Sequence, residues 1–235
     1  TGDAAAYGIA VKNGIQLAVD EINAAGGENG MKLEFQMEDD EADAEKAVNA
    51  YNTLKDNGMK VFIGTVTTGA CLSVVSQTKA DNMFQITPSA SAAKVIANDN
   101  CFQVCFTDPN QGTASADYIA SKGLATKVAV IYNSSDAYSS GIYDNFKAEA
   151  AAKGLDLVAS EAFTGDSKQD FSSQLSKIKA SGAELIFLPI YYQEASLILS
   201  QAKNAGITAK FFGCDGLDGL LNIENFDKSL AENVM

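Results

Sequence analysis

The sequence predicts an α/β protein of two doubly wound parallel-sheet lobes joined by a hinge. Three observations carry this prediction. Short strand-like runs alternate with helical stretches from end to end. The clearest runs, such as VFIG, KVAVIY and ELIFLP, are nearly continuous in apolar character, as strands covered on both faces are. The pattern breaks near 106–111 and restarts, dividing the chain into 1–107 and 108–235.

Each element has its own signal. Residues 6–25 read as a helix, with Ile9, Ile15, Val19 and Ile22 near helical spacing and Gly26 and Gly27 to stop it. Leu33, Phe35 and Met37 alternate with polar residues, as a half-buried strand does. Asp43 can cap the next helix, whose inner stripe is Ala44, Val48, Tyr51 and Leu54 and which ends at Gly58. A short apolar strand at 61–64, a helix at 69–80 and a strand at 83–87 follow, the last stopped by Pro88. Another strand is expected over 102–106. In the second half the pattern predicts helices over 111–122, 138–153, 171–181 and 192–205. It predicts strands over 127–132, 155–162, 184–189 and 210–213.

Composition excludes several classes. The chain has 235 residues, 46% hydrophobic, which is enough apolar mass for real cores. No run of about 18 apolar residues appears, so no membrane span is expected. Thr1 opens into a Gly/Ala-rich segment with no basic n-region, so no leader is read in this sequence. The net charge is −13 and every cation is a lysine. That argues against nucleic acid and against anionic membrane surfaces. His, Trp and Arg are absent, which removes His-based metal sites and triads, and no metal or cofactor is expected. Glu38, Asp39, Asp40, Glu41 and Asp43 lack the spacing of a calcium loop and read as a solvated strand end and helix cap. Cys71, Cys101, Cys105 and Cys214 form no CxxC; they read as small buried apolar residues, with a disulfide in the first half as the rival.

In parallel sheets, ligands sit outside the carboxyl ends of the strands, at helix N-termini. The residues there are Thr67 and Thr68 after the strand at 61–64, and Ser89, Ala90 and Ser91 after Pro88. In the second half they are Tyr138, Tyr191 and Asp215, while Tyr7 opens the first helix. Hydroxyls beside free backbone N–H groups favour an anion. Asp215 can pair with an ammonium, and the tyrosines supply flat apolar faces with a polar tip. Together these describe a site for a free amino acid. Each residue also has a plainer reading: Thr67 and Thr68 as helix caps, Ser89 and Ser91 as turn residues, the tyrosines as half-buried edges, Asp215 as a turn acid.

The segment TGDAAAYGIAVKNGIQLAVDEINAAGG resembles the opening of the type I periplasmic binding proteins of the branched-chain amino-acid class. Further matches follow in order: VFIGTVTTGACLSV, MFQITPSAS, AVIYNSSDAYSSGIYDNF, LPIYYQEASLILSQAKNAGI and FFGCDGL. The resemblance implies a monomeric, cleft-closing receptor outside the cytoplasm, in a periplasm or on a Gram-positive cell surface. It would hand a neutral, aliphatic amino acid to the membrane permease of an ABC importer. By position, Thr68 would hold the ligand carboxylate, Ser89 would contribute backbone groups and Ser91 would meet the amino group and the carboxylate; Thr67 and Ala90 belong to the same set. Asp215 would face the ammonium, standing where the family has Glu or Asp. Tyr138 and Tyr191 would close over the ligand and Tyr7 would wall the first lobe. Family members begin with a strand before the Thr-Gly turn and continue past Met235, so a first lobe incomplete in this sequence is implied.

Rival functions are a sensory ectodomain of the same fold, a receptor for an amide, urea-like or aromatic acid solute, and an enzyme on a doubly wound sheet. The last is disfavoured. No GxGxxG follows a strand, there is no P-loop, and His and Arg are missing from the usual acid–base and phosphoryl-transfer sets.

Overall fold

A computed structural model describes residues 1–235, which divide into two compact units, Thr1–Cys105 and Phe106–Met235.

The first unit contains α1 (Ala5–Ala24), α2 (Ala44–Asp56), β1 (Val61–Ile63), α3 (Thr68–Ala80), β2 (Phe84–Thr87) and β3 (Cys101–Gln103). Its three strands form a parallel sheet in the order β1-β2-β3. Asp43 caps α2, its Oδ1 accepting from the Glu45 and Lys46 amides. Tyr51 of α2 is buried against Phe62 of β1, ring edge to face at 5.3 Å, with Ala47, Ala70 and Val74 around them.

Two expectations fail here. Residues 33–37 form no strand. A strand exists only through its ladder, and the segment is tied instead to the end of α1. Leu33 donates its amide to Asn23 Oδ1 at 2.7 Å, and Asn23 Nδ2 donates to the Leu33 carbonyl. The sheet of this unit is also covered on one face only. Phe62, Gln85 and Cys101 point into the unit, whereas Val61, Phe84 and Phe102 stand exposed, the two phenyl rings stacked at 5.4 Å. Likewise α1 buries none of its residues, and Ile9 and Ile22 of its apolar stripe are exposed.

The second unit contains α4 (Asp108–Ser121), β4 (Lys127–Asn133), α5 (Ala137–Ala152), β5 (Asp156–Phe163), α6 (Ser172–Ser181), β6 (Leu185–Leu188), α7 (Tyr192–Asn204) and β7 (Lys210–Gly213). The parallel order is β5-β4-β6-β7. The chain builds outward from β4 to β5, then crosses to β6 on the other side, so the switch point lies between β4 and β6. Residues 128–131 of β4 and all of β6 are buried, as central strands covered on both faces should be. After β7 the chain runs through short 3₁₀ turns and returns to the sheet, Val234 bridging Phe211 in parallel.

Helices α4 and α5 touch backbone to backbone at Gly112. A Cβ there would lie 2.4 Å from the Ile142 carbonyl oxygen and 2.7 Å from the Phe146 nitrogen. The approach sets the ends of α4 and α5 against the loops beyond β4 and β7. Gly112→Ala must push the helices apart. We expect it to destabilise this unit by about 2 kcal/mol, read as a lower urea midpoint by circular dichroism.

Candidate functional site

The polar residues that follow the strands of each unit form two separate hydrogen-bonded assemblies.

In the first unit, β2 holds the loop that leads from β1 into α3. Three residues at alternate positions take three successive carbonyls. Gln85 Nε2 donates to Gly64 O at 2.9 Å, Thr87 Oγ1 to Thr65 O at 2.6 Å, and Ser89 Oγ to Val66 O at 2.7 Å. Alternation along a strand puts such residues on one face, which is why the spacing is two. Gln85 is itself steadied by Thr78, whose hydroxyl donates to Gln85 Oε1.

Thr67 occupies the N-cap of α3 but makes no capping hydrogen bond, so the cap reading fails for this residue. The first amides of any helix lack carbonyl partners inside it. The Ser91 amide donates to Thr68 Oγ1 at 3.0 Å, tying the loop after β2 to the first turn of α3. The Thr68 hydroxyl thus accepts one bond and keeps its own proton to give. Thr67 Oγ1 and Ser91 Oγ are buried without any hydrogen-bond partner in the protein. Buried hydroxyls are rarely left so, because the cost is about 1–3 kcal/mol each.

Of the other residues expected in this unit, Ala90 is fully buried with both backbone groups engaged. Its amide donates to Thr87 Oγ1, and Cys105 Sγ lies 3.6 Å from its carbonyl as a weak donor. Tyr7 is half-buried in the first turn of α1 and takes no part in the bonds just described. A hollow of about 370 Å³ in the same unit lies between α1, α2, β1 and residues 35–42. Ile9, Ile15, Phe35 and Phe62 line it, and it reaches Thr67 but not Thr68, Ser89 or Ser91.

In the second unit Tyr138, Tyr191 and Asp215 come together. Tyr138 opens α5 and is almost wholly buried, with only 2% of its surface exposed. Tyr191 precedes α7, is half-buried, and stacks on Tyr138 with ring centroids 4.7 Å apart and planes 9° from parallel. Tyr192, its neighbour, is buried. The Tyr138 phenol accepts from the Gly216 amide at 2.9 Å and donates to Asp215 Oδ1 at 2.5 Å. Burial pushes this phenol well above its ordinary pKa, so it keeps the proton it donates. Asp215 itself is exposed, and Oδ2 carries none of these bonds. Gly216 has no room for a side chain, since a Cβ would sit 2.5 Å from the Ile190 carbonyl oxygen and 2.6 Å from the Tyr138 oxygen.

Sequence reasoning missed Gln85, Thr87, Gln111 and Gly216. The signal for Gln85 and Thr87 was a polar residue at every second place in FQIT, which reads equally well as the solvent side of a strand. Gln111 meets Asp215 across 104 positions of sequence, its Oε1 accepting the Asp215 amide at 3.3 Å, and no local pattern announces that.

All four cysteines are free thiols. Cys71 and Cys101 are buried in one apolar cluster with Ala90 and Val95. Burial pushes the Cys71 thiol up to about 11 and the Cys214 thiol up to about 12. A protonated, buried thiol is a poor nucleophile. We expect iodoacetamide at about pH 8 to label Cys105 well ahead of Cys71, Cys101 and Cys214 in the native protein, measured by peptide mass spectrometry, with all four labelled after denaturation.

The family model described as periplasmic binding protein matches residues 1–223. Among curated proteins, the Leu/Ile/Val-binding protein homolog 3 of Brucella melitensis is 35% identical over 219 residues, covering 92% of this chain and 59% of that protein. The leucine-, isoleucine-, valine-, threonine- and alanine-binding protein of Pseudomonas aeruginosa is 30% identical over 219 residues, 92% of this chain and 58% of its own length. The chain thus spans somewhat under three-fifths of the length of these relatives. Among solved structures, the substrate-binding protein LivJ of Streptococcus pneumoniae, determined with isoleucine, superposes with a TM-score of 0.91 at 31% identity. That match covers 100% of this chain and 67% of that one. The leucine-binding protein LivK of Thermotoga maritima gives a TM-score of 0.86 at 28% identity, over 93% of this chain and 61% of that one. The order of its parallel strands, the polar loops that follow them and the match across nearly all of its length place this chain in the type I periplasmic binding protein family, in the branched-chain amino-acid class.

Proposed function

We propose that the protein is an extracytoplasmic receptor that binds a free, neutral, aliphatic amino acid and delivers it to the membrane permease of an ABC importer. The observation that carries the reading is the pair of buried, unpartnered hydroxyls, Thr67 Oγ1 and Ser91 Oγ, beside the uncapped start of α3. A carboxylate supplies what they lack: acceptors for the two hydroxyls, for the free Thr68 proton and for the first helical amides. No arginine is needed for this, and the chain has none.

An amino acid also carries an ammonium, which is costly to bury unless paired. Asp215 meets that need from the second unit, its Oδ1 held by Tyr138 and its Oδ2 available. The half-buried ring of Tyr191 offers a wall for the aliphatic side chain, and Tyr7 supplies a second in the first unit. Binding then draws the two units together, because contacts with both exist only in the closed form. The names of the relatives point to the same ligand class: the Pseudomonas protein is named for leucine, isoleucine, valine, threonine and alanine, and LivJ was solved with isoleucine.

Two measurements test the proposal on the whole protein. Asp215→Ala should weaken amino-acid binding at least tenfold, ~1.4 kcal/mol, by calorimetry; unchanged affinity would remove Asp215 from the site. In a thermal-shift panel of the common amino acids, leucine, isoleucine and valine should raise the melting temperature most, and a response confined to aspartate and glutamate would refute the assignment.

A further inference from the structure

Asp215 begins a short 3₁₀ turn at 215–217, on a loop with few backbone bonds of its own. Such a loop does not by itself hold a carboxylate in one place. Three hydrogen bonds from the helices do. The Gly216 amide and Asp215 Oδ1 both meet the Tyr138 phenol of α5, and the Asp215 amide meets Gln111 Oε1 of α4. The first two leave the turn free to pivot about a single oxygen atom. The bond to Gln111 supplies a second point of attachment, on another helix.

Gln111 has no evident structural reason to be polar. It is 8% exposed, and its Nε2 is buried without a hydrogen-bond partner. An apolar residue of similar shape would spare the protein that unsatisfied amide. What the amide does achieve is one directed bond, made by Oε1 to the residue that carries the acid. The position of Gln111 is itself enforced, because the next residue, Gly112, is where α4 presses against the backbone of α5. Gln111 and Tyr138 are thereby fixed relative to one another on helices that cannot slide without a clash.

From this geometry we infer that Gln111 is a positioning residue for ammonium recognition: its bond to the Asp215 amide, together with the Tyr138 phenol, aims Asp215 Oδ2 at the amino group of the ligand. The inference rests on the proposed role of Asp215. It makes discrimination between an amino acid and the same acid without its amino group depend on a residue that does not touch the ligand. A glutamine serving only to pack α4 would alter stability and leave that discrimination where it was.

The test compares L-leucine with 4-methylpentanoate, which differs in lacking the ammonium, by direct and displacement calorimetry on the whole protein. Gln111→Met and Gln111→Ala are both made, so that one folded variant suffices, and Asp215→Asn is measured beside them. We expect Asp215→Asn to abolish most of the preference for leucine, and the Gln111 variants to reduce that preference about fivefold. If Asp215→Asn removes the preference while the Gln111 variants keep it within about twofold, the positioning role is overturned and the reading of Asp215 stands. If Asp215→Asn leaves the preference intact, or the wild type does not distinguish the two probes, the reading of Asp215 fails and the positioning role falls with it.

Discussion

The hydrogen bond from the Ser91 amide to the Thr68 hydroxyl, 3.0 Å long, joins two loops that leave neighbouring strands of the first unit. Much of the polar architecture there exists to make this contact possible. Gln85, Thr87 and Ser89 draw successive carbonyls of residues 64–66 toward β2, which brings the start of α3 beside residues 89–91. Gln85 and Thr87 are buried polar side chains on a strand, costly unless satisfied, and both are satisfied here. The same arrangement leaves Thr67 Oγ1 and Ser91 Oγ unsatisfied. On the proposed reading, a satisfied framework around two unsatisfied donors is a preorganised site, in which stability given up locally would be recovered on binding.

The second unit solves a different problem. It holds one carboxylate at an exposed loop, bonded to a phenol rather than to a cation of its own, while the same residue's amide donates to a glutamine carbonyl. Tyr138 does this with a neutral phenol, buried and anchored in α5. The sequence reading cast Tyr138 as an aromatic lid over the ligand. The structure makes it mainly a support, one ring behind Tyr191 and one hydroxyl beneath Asp215. The glycine at 216 explains the difference, since with no side chain there the phenol lies directly under the turn.

The rhythm of strands and helices was legible because it rests on local periodicity, which burial in a parallel sheet enforces. The failures lie where a neighbour decides. Leu33, Phe35 and Met37 alternate as a strand should, yet no strand lies alongside to complete a ladder, and Asn23 takes the Leu33 backbone instead. Val61 and Phe84 read as interior residues, yet their face of the sheet is open. In the site, hydroxyls that directly follow strands could be picked out by position alone. Gln85, Thr87 and Gln111 could not, since their roles depend on which carbonyl or amide the fold brings to them.

On the proposed reading, the zip between β2 and residues 64–66 would also decide which solutes are refused. Carbonyl oxygens are what sodium and potassium seek, and here three of them at the mouth of α3 are turned inward and occupied. What remains to face a solute is hydrogen: amide protons and hydroxyl protons. On that reading the pole would select anions without a formal positive charge, and because dipoles at short range are screened far less than ions at the surface, its grip would be nearly indifferent to ionic strength.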